Sequence, residues 1–469
     1  MLLLYCKKGG RAESANIMKK EKKDRSHYLF SNKALVALII PLVIEQLLAV
    51  LVGMADSIMV SSVGEAAVSG VSLVDTVFIL MINIFAALAT GGAVIAGQYL
   101  GKRRPQQACK AVDQLVIFIV LSGAVITGLI YVLKDPILHG VFGKIEPDVM
   151  SNAQTYLLIT NASIPFIALY NAGAAVFRAM GDSKISMKMS IVMNAINVAG
   201  NAILIYVFHF GVAGVAIPTL VSRMFAGIGM MVLLRNQDRI LHFSIPFSIR
   251  LEKGILKKIL SLGLPNSLEN SMFQLGKILV LSLVSSFGTA SITANAICNN
   301  LCSFQVLPGM AIGYAILAVV AQCVGAGDYE QVRYYTKKLM IITYAAIFGT
   351  VCVMFLLQPF LLGLYGVSEE ANGYAIKIML WHGVMAALFW PMSFSMPNAL
   401  RAANDVAFCM ILSILSMWIV RIAGSYLLGS VFKMGVFGVW VAMTIDWVIR
   451  SAGFLWRYLR GKWILKKAI

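Results

Sequence analysis

The chain has 469 residues, 59% of them hydrophobic and 13% charged, with a formal charge of +18. A soluble domain carries about 25% charged residues, so this composition, with a mean hydropathy of +0.82, excludes a water-soluble globular fold. The basic residues sit in short segments between apolar runs, which indicates membrane topology and no nucleic-acid partner.

In chain order, the first 33 residues are polar and basic after a four-residue apolar start, so no cleavable signal peptide is expected. Met18 reads as a plausible translation start, with residues 1–17 optional. Twelve apolar runs follow: 34–61, 68–100, 111–133, 150–177, 186–209, 211–234, 258–287, 290–325, 338–363, 371–400, 407–429 and 435–457. Each is near or above the ~20 residues that cross ~30 Å of hydrocarbon as a helix. Seven cysteines and five scattered histidines form no disulfide framework or metal-ligand pattern.

An even number of crossings puts both termini on one side. Lys102, Arg103, Arg104 and Lys110, then Arg178, Lys184 and Lys188, then the basic stretch from Arg235 to Lys258, share the side of the two basic tails. The opposite side holds only Lys134, Lys144, Lys377 and Lys433. Cytoplasmic loops carry the excess of Lys and Arg, so both termini are expected in the cytoplasm and the protein in the cell membrane. The predicted units are a basic tail 1–33, an N-lobe 34–234, a cytoplasmic linker 235–257, a C-lobe 258–457 and a second tail 458–469.

The two halves match at a nearly constant offset. Pro41, Glu45 and Gln46 fall on Pro265, Glu269 and Asn270; Gly64, Gln98 and Gly101 fall on Gly288, Gln322 and Gly325. Gly211 and Gly214 fall on Gly435 and Gly438, and Arg178, Ala179 and Asp182 on Arg401, Ala402 and Asp405, one residue out of register. Six helices per unit give both units the same orientation, related by an axis along the membrane normal, which is a transporter architecture with its site between the repeats. Pro41 and Pro265 interrupt the first helix of each unit, where a missing N–H permits a hinge or only shapes packing.

Ionisable groups inside a membrane are costly and mark function. Asp56 interrupts the first run roughly 9 Å below its outer end. Asn194, Asn197 and Asn201 share one face of the fifth run, and Thr219 and Tyr156 reach a similar depth. Carboxylate, amide, hydroxyl and phenol oxygens at matched depth suit a proton or a dehydrated Na⁺, or else a hydrogen-bonded packing network. Glu45 and Glu269, deeper on the cytoplasmic side, line a central cavity or cap unwound backbone beside the prolines. Asp446 and Arg450 are spaced to pair on the last helix. Arg223, Lys277 and Arg421 require partners or a water-filled cavity.

Several segments resemble the multidrug and toxic compound extrusion (MATE) family of secondary antiporters, in its bacterial NorM- and DinF-like branches: PLVIEQLLAVLVGMADSIMVSSVG, ATGGAVIAGQYLGK, FRAMGDSK, NAINVAGNAILIYVFHFGVAG, GLPNSLENSMFQLGK, SSFGTASITANAI and LRAANDV. The resemblance implies an all-α membrane fold of twelve helices in two pseudo-symmetric six-helix bundles forming a V. It implies a monomer, not an enzyme and without a cofactor, exporting drug-like small molecules and organic cations against Na⁺ or H⁺ by alternating access. It assigns ion coupling to Asp56 with Asn197, Asn201, Thr219 and Tyr156, and a cavity-lining place to Asn171. Asn201 departs from members with a second carboxylate there. The C-lobe departs too, with Phe273 near the position of a coupling glutamate and no acid in 371–400. The rival within the wider superfamily is a lipid-linked saccharide flippase, for whose extra helices the chain has no room. Rivals from other classes are a membrane enzyme, whose clustered His/Asp or Cys/His set is missing, and a sensor without transport.

Overall fold

The computed structural model describes residues 28–138, 146–244 and 250–466, and among these every regular element is helical. Met18 and most of the basic N-terminal tail, with Cys6, His27, His139 and Lys144, lie outside them. The first half contains α1 (Asn32–Ser61), α2 (Glu65–Gly101), α3 (Pro105–Val132), the single turn α4 (Lys134–Pro136), α5 (Pro147–Asn161), α6 (Ile164–Ala179), α7 (Ser183–Ala202) and α8 (Ala213–Leu234). The second half contains α9 (Lys253–Ser285), α10 (Thr289–Gly325), α11 (Tyr329–Tyr365), α12 (Glu369–Trp390), α13 (Met396–Ala402), α14 (Val406–Leu415), α15 (Ala423–Tyr426) and α16 (Gly435–Leu459). Single π-helical stretches join α12 to α13 and α14 to α15, and extend α7 and α15.

Among the described residues ten helical runs are long and apolar enough to cross a bilayer, and the α5–α6 pair, bent by 49°, is an eleventh. The twelfth is α9, whose 33 residues are ample in length. Its apolarity is diluted by Lys257, Lys258, Glu269 and Lys277 along with Asn266 and Asn270. The predicted fourth run is therefore a broken helix: Pro165 has no N–H to give the preceding turn, and Ser163 N closes a tighter bond to Thr160 O at 2.9 Å. Boundaries also move. α9 begins at Lys253, inside the predicted linker, and α11 begins at Tyr329, ahead of the predicted 338. Beyond α16 a 3₁₀ turn folds back, burying Trp463 against Tyr458 with ring centroids 5.3 Å apart.

The sequence repeat recurs in the backbone. Ten of the twelve described residues with positive φ fall in register-matched pairs: Gly64 with Gly288, Arg103 with Gly327, Gly181 with Asn404, His209 with Lys433 and Gly211 with Gly435. α2 and α10 start and stop at matching residues, and the π-helical turns Ile203–Val207 and Leu427–Val431 correspond.

The halves meet at the end of the bundles that holds the basic loops. There a single apolar core takes Leu88 and Val94 from α2, Ile259 and Leu262 from α9, and Val320 from α10. Two hydrogen bonds cross the interface symmetrically: Gln98 Nε2 donates to Ala402 O at 2.8 Å, and its mate Gln322 Nε2 donates to Ala179 O at 2.6 Å. Only glycine allows this approach. A Cβ on Gly101 would lie 1.9 Å from Gln322 O, and one on Gly325 would lie 2.1 Å from Gln98 O. The interlobe bond farthest from this end joins Ser267 Oγ to Ile84 O at 3.1 Å; among the described residues no hydrogen bond links the halves nearer the opposite end.

Candidate functional site

Two polar regions stand out inside the apolar frame. The first lies within the N-terminal half. Asn201 Nδ2 donates to Asp56 Oδ1 at 2.9 Å. With its amide nitrogen turned to the carboxylate, Asn197 donates to both Asp56 oxygens, at 2.9 and 3.2 Å, and accepts from Thr219 Oγ1 at 3.1 Å. That amide orientation gives every atom a complementary partner. Asn197 and Asn201 stand one turn apart on α7, so their amides reach α1 together.

Tyr156 belongs to the next layer. Its hydroxyl donates to Asp75 Oδ1 on α2 at 3.0 Å. Arg223 from α8 acts electrostatically on Asp56, Asp75 and Tyr156 and donates to Ser163 Oγ at 2.9 Å, at the break between α5 and α6. The region therefore holds two carboxylates and one guanidinium. With both acids ionised, one monovalent cation brings it to neutrality. The second carboxylate, absent from the position of Asn201, is supplied from α2 instead.

The second region is a cavity of about 630 Å³ between the halves. Glu45, Asn171 and Asn194 line it; Asn194 Nδ2 donates to Ser190 Oγ at 3.3 Å. Glu269 does not reach the cavity but stands behind Arg401, whose Nη2 donates to it at 2.7 Å. Its repeat mate Glu45 faces Arg178 Nη1 at 3.5 Å and accepts from Ser186 Oγ at 2.9 Å and Tyr170 Oη at 3.3 Å. Neither acid caps unwound backbone, because α1 and α9 run as continuous helix through Pro41 and Pro265. Both are buried, paired carboxylates, and the two ion pairs are themselves related by the repeat.

The C-terminal side of the cavity is basic and aromatic, with Lys277, Arg421, Phe273, Trp390, Phe394 and Trp447 in its wall. Asp446 and Arg450 do not pair with each other there. Asp446 accepts from Ser416 Oγ, while Arg450 donates to Ser393 O at 3.2 Å and lies 4.5 Å from the Phe394 ring centroid.

The sequence brought Asp56, Asn197, Asn201 and Thr219 to one place by depth alone. It named Arg223 only as a charge in need of a partner, and it did not join Asp75 to this group or the two glutamates to their arginine partners. A signal for the arginines existed: Arg178 and Arg401 recur with Glu45 and Glu269 in the same repeat. Asp75 and Arg223 each lie roughly 15 Å along their helices from the start, a shared depth that would have joined them.

Comparison with known proteins agrees with this architecture. The MatE family profile matches residues 41–203 and again 265–427, two equal stretches in the register of the repeat. The curated "Uncharacterized transporter YisQ" of Bacillus subtilis is 26% identical over 456 residues, covering 95% of this chain and 97% of its own. A "Probable multidrug resistance protein NorM" of Thermotoga maritima is 25% identical, covering 92% and 93% respectively. The solved outward-facing conformation of a multidrug resistance MATE family transporter of the MOP superfamily superposes with a TM-score of 0.84 at 22% identity, covering 93% of this chain and 97% of that one.

Proposed function

The chain belongs to the MatE family of multi-pass membrane transporters, and on that premise we propose that it is a secondary antiporter that exports drug-like molecules in exchange for Na⁺ or H⁺. Its lobes are 34–234 and 258–457, joined by the linker 235–257. The basic end, with both termini, faces the cytoplasm, as the distribution of Lys and Arg supports.

The observation that carries this reading is the Asp56 carboxylate, held by Asn201 at 2.9 Å inside the N-lobe, apart from the cavity between the lobes. An ion and a substrate then have separate places, as exchange requires. Entry of one cation neutralises the Asp56 region and removes the reason for its amide contacts. α1 is then free to bend near Pro41, which moves the cavity wall that carries Glu45. The ion gradient drives the cycle, and each charge moved inward contributes about 2.3 kcal/mol per 100 mV. With the basic end clasped, the described state is the one that releases substrate outward. Opening of that clasp completes alternating access.

Replacing Asp56 by Asn tests the reading directly. Gradient-driven efflux from proteoliposomes, with Na⁺ and pH varied separately, should fall to background while the protein inserts and purifies normally. Undiminished efflux by Asp56→Asn would remove Asp56 from coupling.

A further inference from the structure

The charges of the cavity wall do not balance. Arg178 is answered by Glu45 at 3.5 Å and Arg401 by Glu269 at 2.7 Å. Lys277 and Arg421 are not answered. Lys277 has no ion pair or hydrogen bond among the described side chains, and its electrostatic neighbour is Arg421, another cation. Arg421 is only 9% exposed, yet its guanidinium makes no hydrogen bond there and its Nε is buried without a partner. The one acid that acts on Arg421 is Asp446. That carboxylate also acts on Arg450 and is engaged by the Ser416 hydroxyl.

These two unanswered cations converge. Lys277 Nζ lies 5.5 Å and Arg421 Cζ 5.3 Å from the centroid of the same Phe273 ring. A buried guanidinium without its own counter-ion is unfavourable, and Lys277, exposed to the cavity beside it, adds a like charge, so the two together favour an anion that completes them. A guanidinium fork matches a carboxylate in two parallel hydrogen bonds, and a lysine adds a point charge. Beside them, Trp390 and Phe394 are stacked 4.9 Å apart, with Trp447 at 5.9 Å from Phe394. Such a wall accepts a flat aromatic body.

We propose that the cavity takes an aromatic carboxylate, with Lys277 and Arg421 holding the acid group and the aromatic wall holding the ring. An organic cation, the substrate implied by family resemblance, would meet like charge on this side. The inference deepens the export reading and rests on it for the direction of transport, but the subsite is testable by binding alone.

Fluorescein and rhodamine 6G share a xanthene frame and differ in the sign of their charge, so their affinities for the purified full-length chain, read by fluorescence anisotropy, compare acid with cation. Fluorescein should bind at least tenfold more tightly, and Lys277→Gln and Arg421→Gln should each weaken it at least tenfold. Lys277 is accessible along the cavity, so its variant keeps the test valid if loss of the buried Arg421 prevents folding. Tighter binding of rhodamine 6G, or a Lys277→Gln chain that binds fluorescein as well as the parent, overturns the proposal. Counterflow of fluorescein in proteoliposomes driven by Na⁺ or pH gradients separates the two claims. Binding with the expected losses but without driven flux upholds the acid subsite and refutes the export reading.

Discussion

Arg223 changes what Asp56 does. Taken alone, Asp56 with its amides is a single anionic point; with Asp75, Tyr156 and Arg223 it belongs to a group one positive charge short of balance. A neighbouring unit charge contributes on the order of 2 kcal/mol at an effective dielectric near 20, and tenfold in affinity is about 1.4 kcal/mol. Removing the guanidinium makes the group more negative and strengthens its hold on a cation. Arg223→Gln should lower the half-saturating concentration of the driving ion by about tenfold in an efflux titration. An unchanged or raised half-saturation would take Arg223 out of the group. The sequence could place Asp56 and Asn201 together because both lie near a helix end of known direction. It could not show that Tyr156 turns to Asp75 and away from Asp56, because depth fixes height along a helix but not the neighbour it faces. For the same reason depth made Glu45 and Glu269 legible as deep acids, while only the repeat pointed to Arg178 and Arg401 as their partners.

Among the elements, the apolar runs gave most helices to within a few residues, and failures occurred where chemistry diluted the pattern. α11 opens with Tyr329, Glu330, Gln331 and Arg333, a polar stretch that hides an inward stripe of Val332, Tyr335 and Leu339. Those three follow helical spacing, but the charges around them read as loop. The break between α5 and α6 was written in Pro165, yet the run of apolar residues on either side outweighed it. α2 and α10 approach through Gly101 and Gly325, each of which admits the other helix's carbonyl. Gly325→Val puts atoms where Gln98 O already lies and should force the basic ends apart. A cysteine substituted for Thr90, which lines the cavity, should then react faster with a membrane-impermeant maleimide added from the basic side, in an otherwise cysteine-free chain. Equal labelling rates with and without Gly325→Val would mean that this contact does not close the cavity.

At the scale of the whole molecule, two matched bundles share one closed end, and exchange of that end between closed and open is the central demand of the antiport reading. Gly97 and Ala321 face each other across it, with a Cβ built on Gly97 only 3.2 Å from that of Ala321. This is near the ~3.8 Å a disulfide spans. In Gly97→Cys/Ala321→Cys protein, oxidation should abolish driven efflux and a reductant should restore it; full cross-linking with undiminished efflux would exclude opening at this end. The fold class, the repeat and the count of crossings were all legible from the sequence, because burial in a bilayer leaves long uniform signals. The sign of the cavity was not. It depends on which charges cancel, and the cancelling partners lie more than a hundred residues apart. One consequence of the clasp concerns how the two halves are free to differ. Gln98 and Gln322 each hand a hydrogen to a main-chain oxygen of the other lobe, and every amino acid supplies that atom. The residues at 179 and 402 can therefore drift in identity, within the space available, while the latch keeps its chemistry. A duplicated transporter built this way can specialise one half for ions and the other for cargo without losing the means to shut.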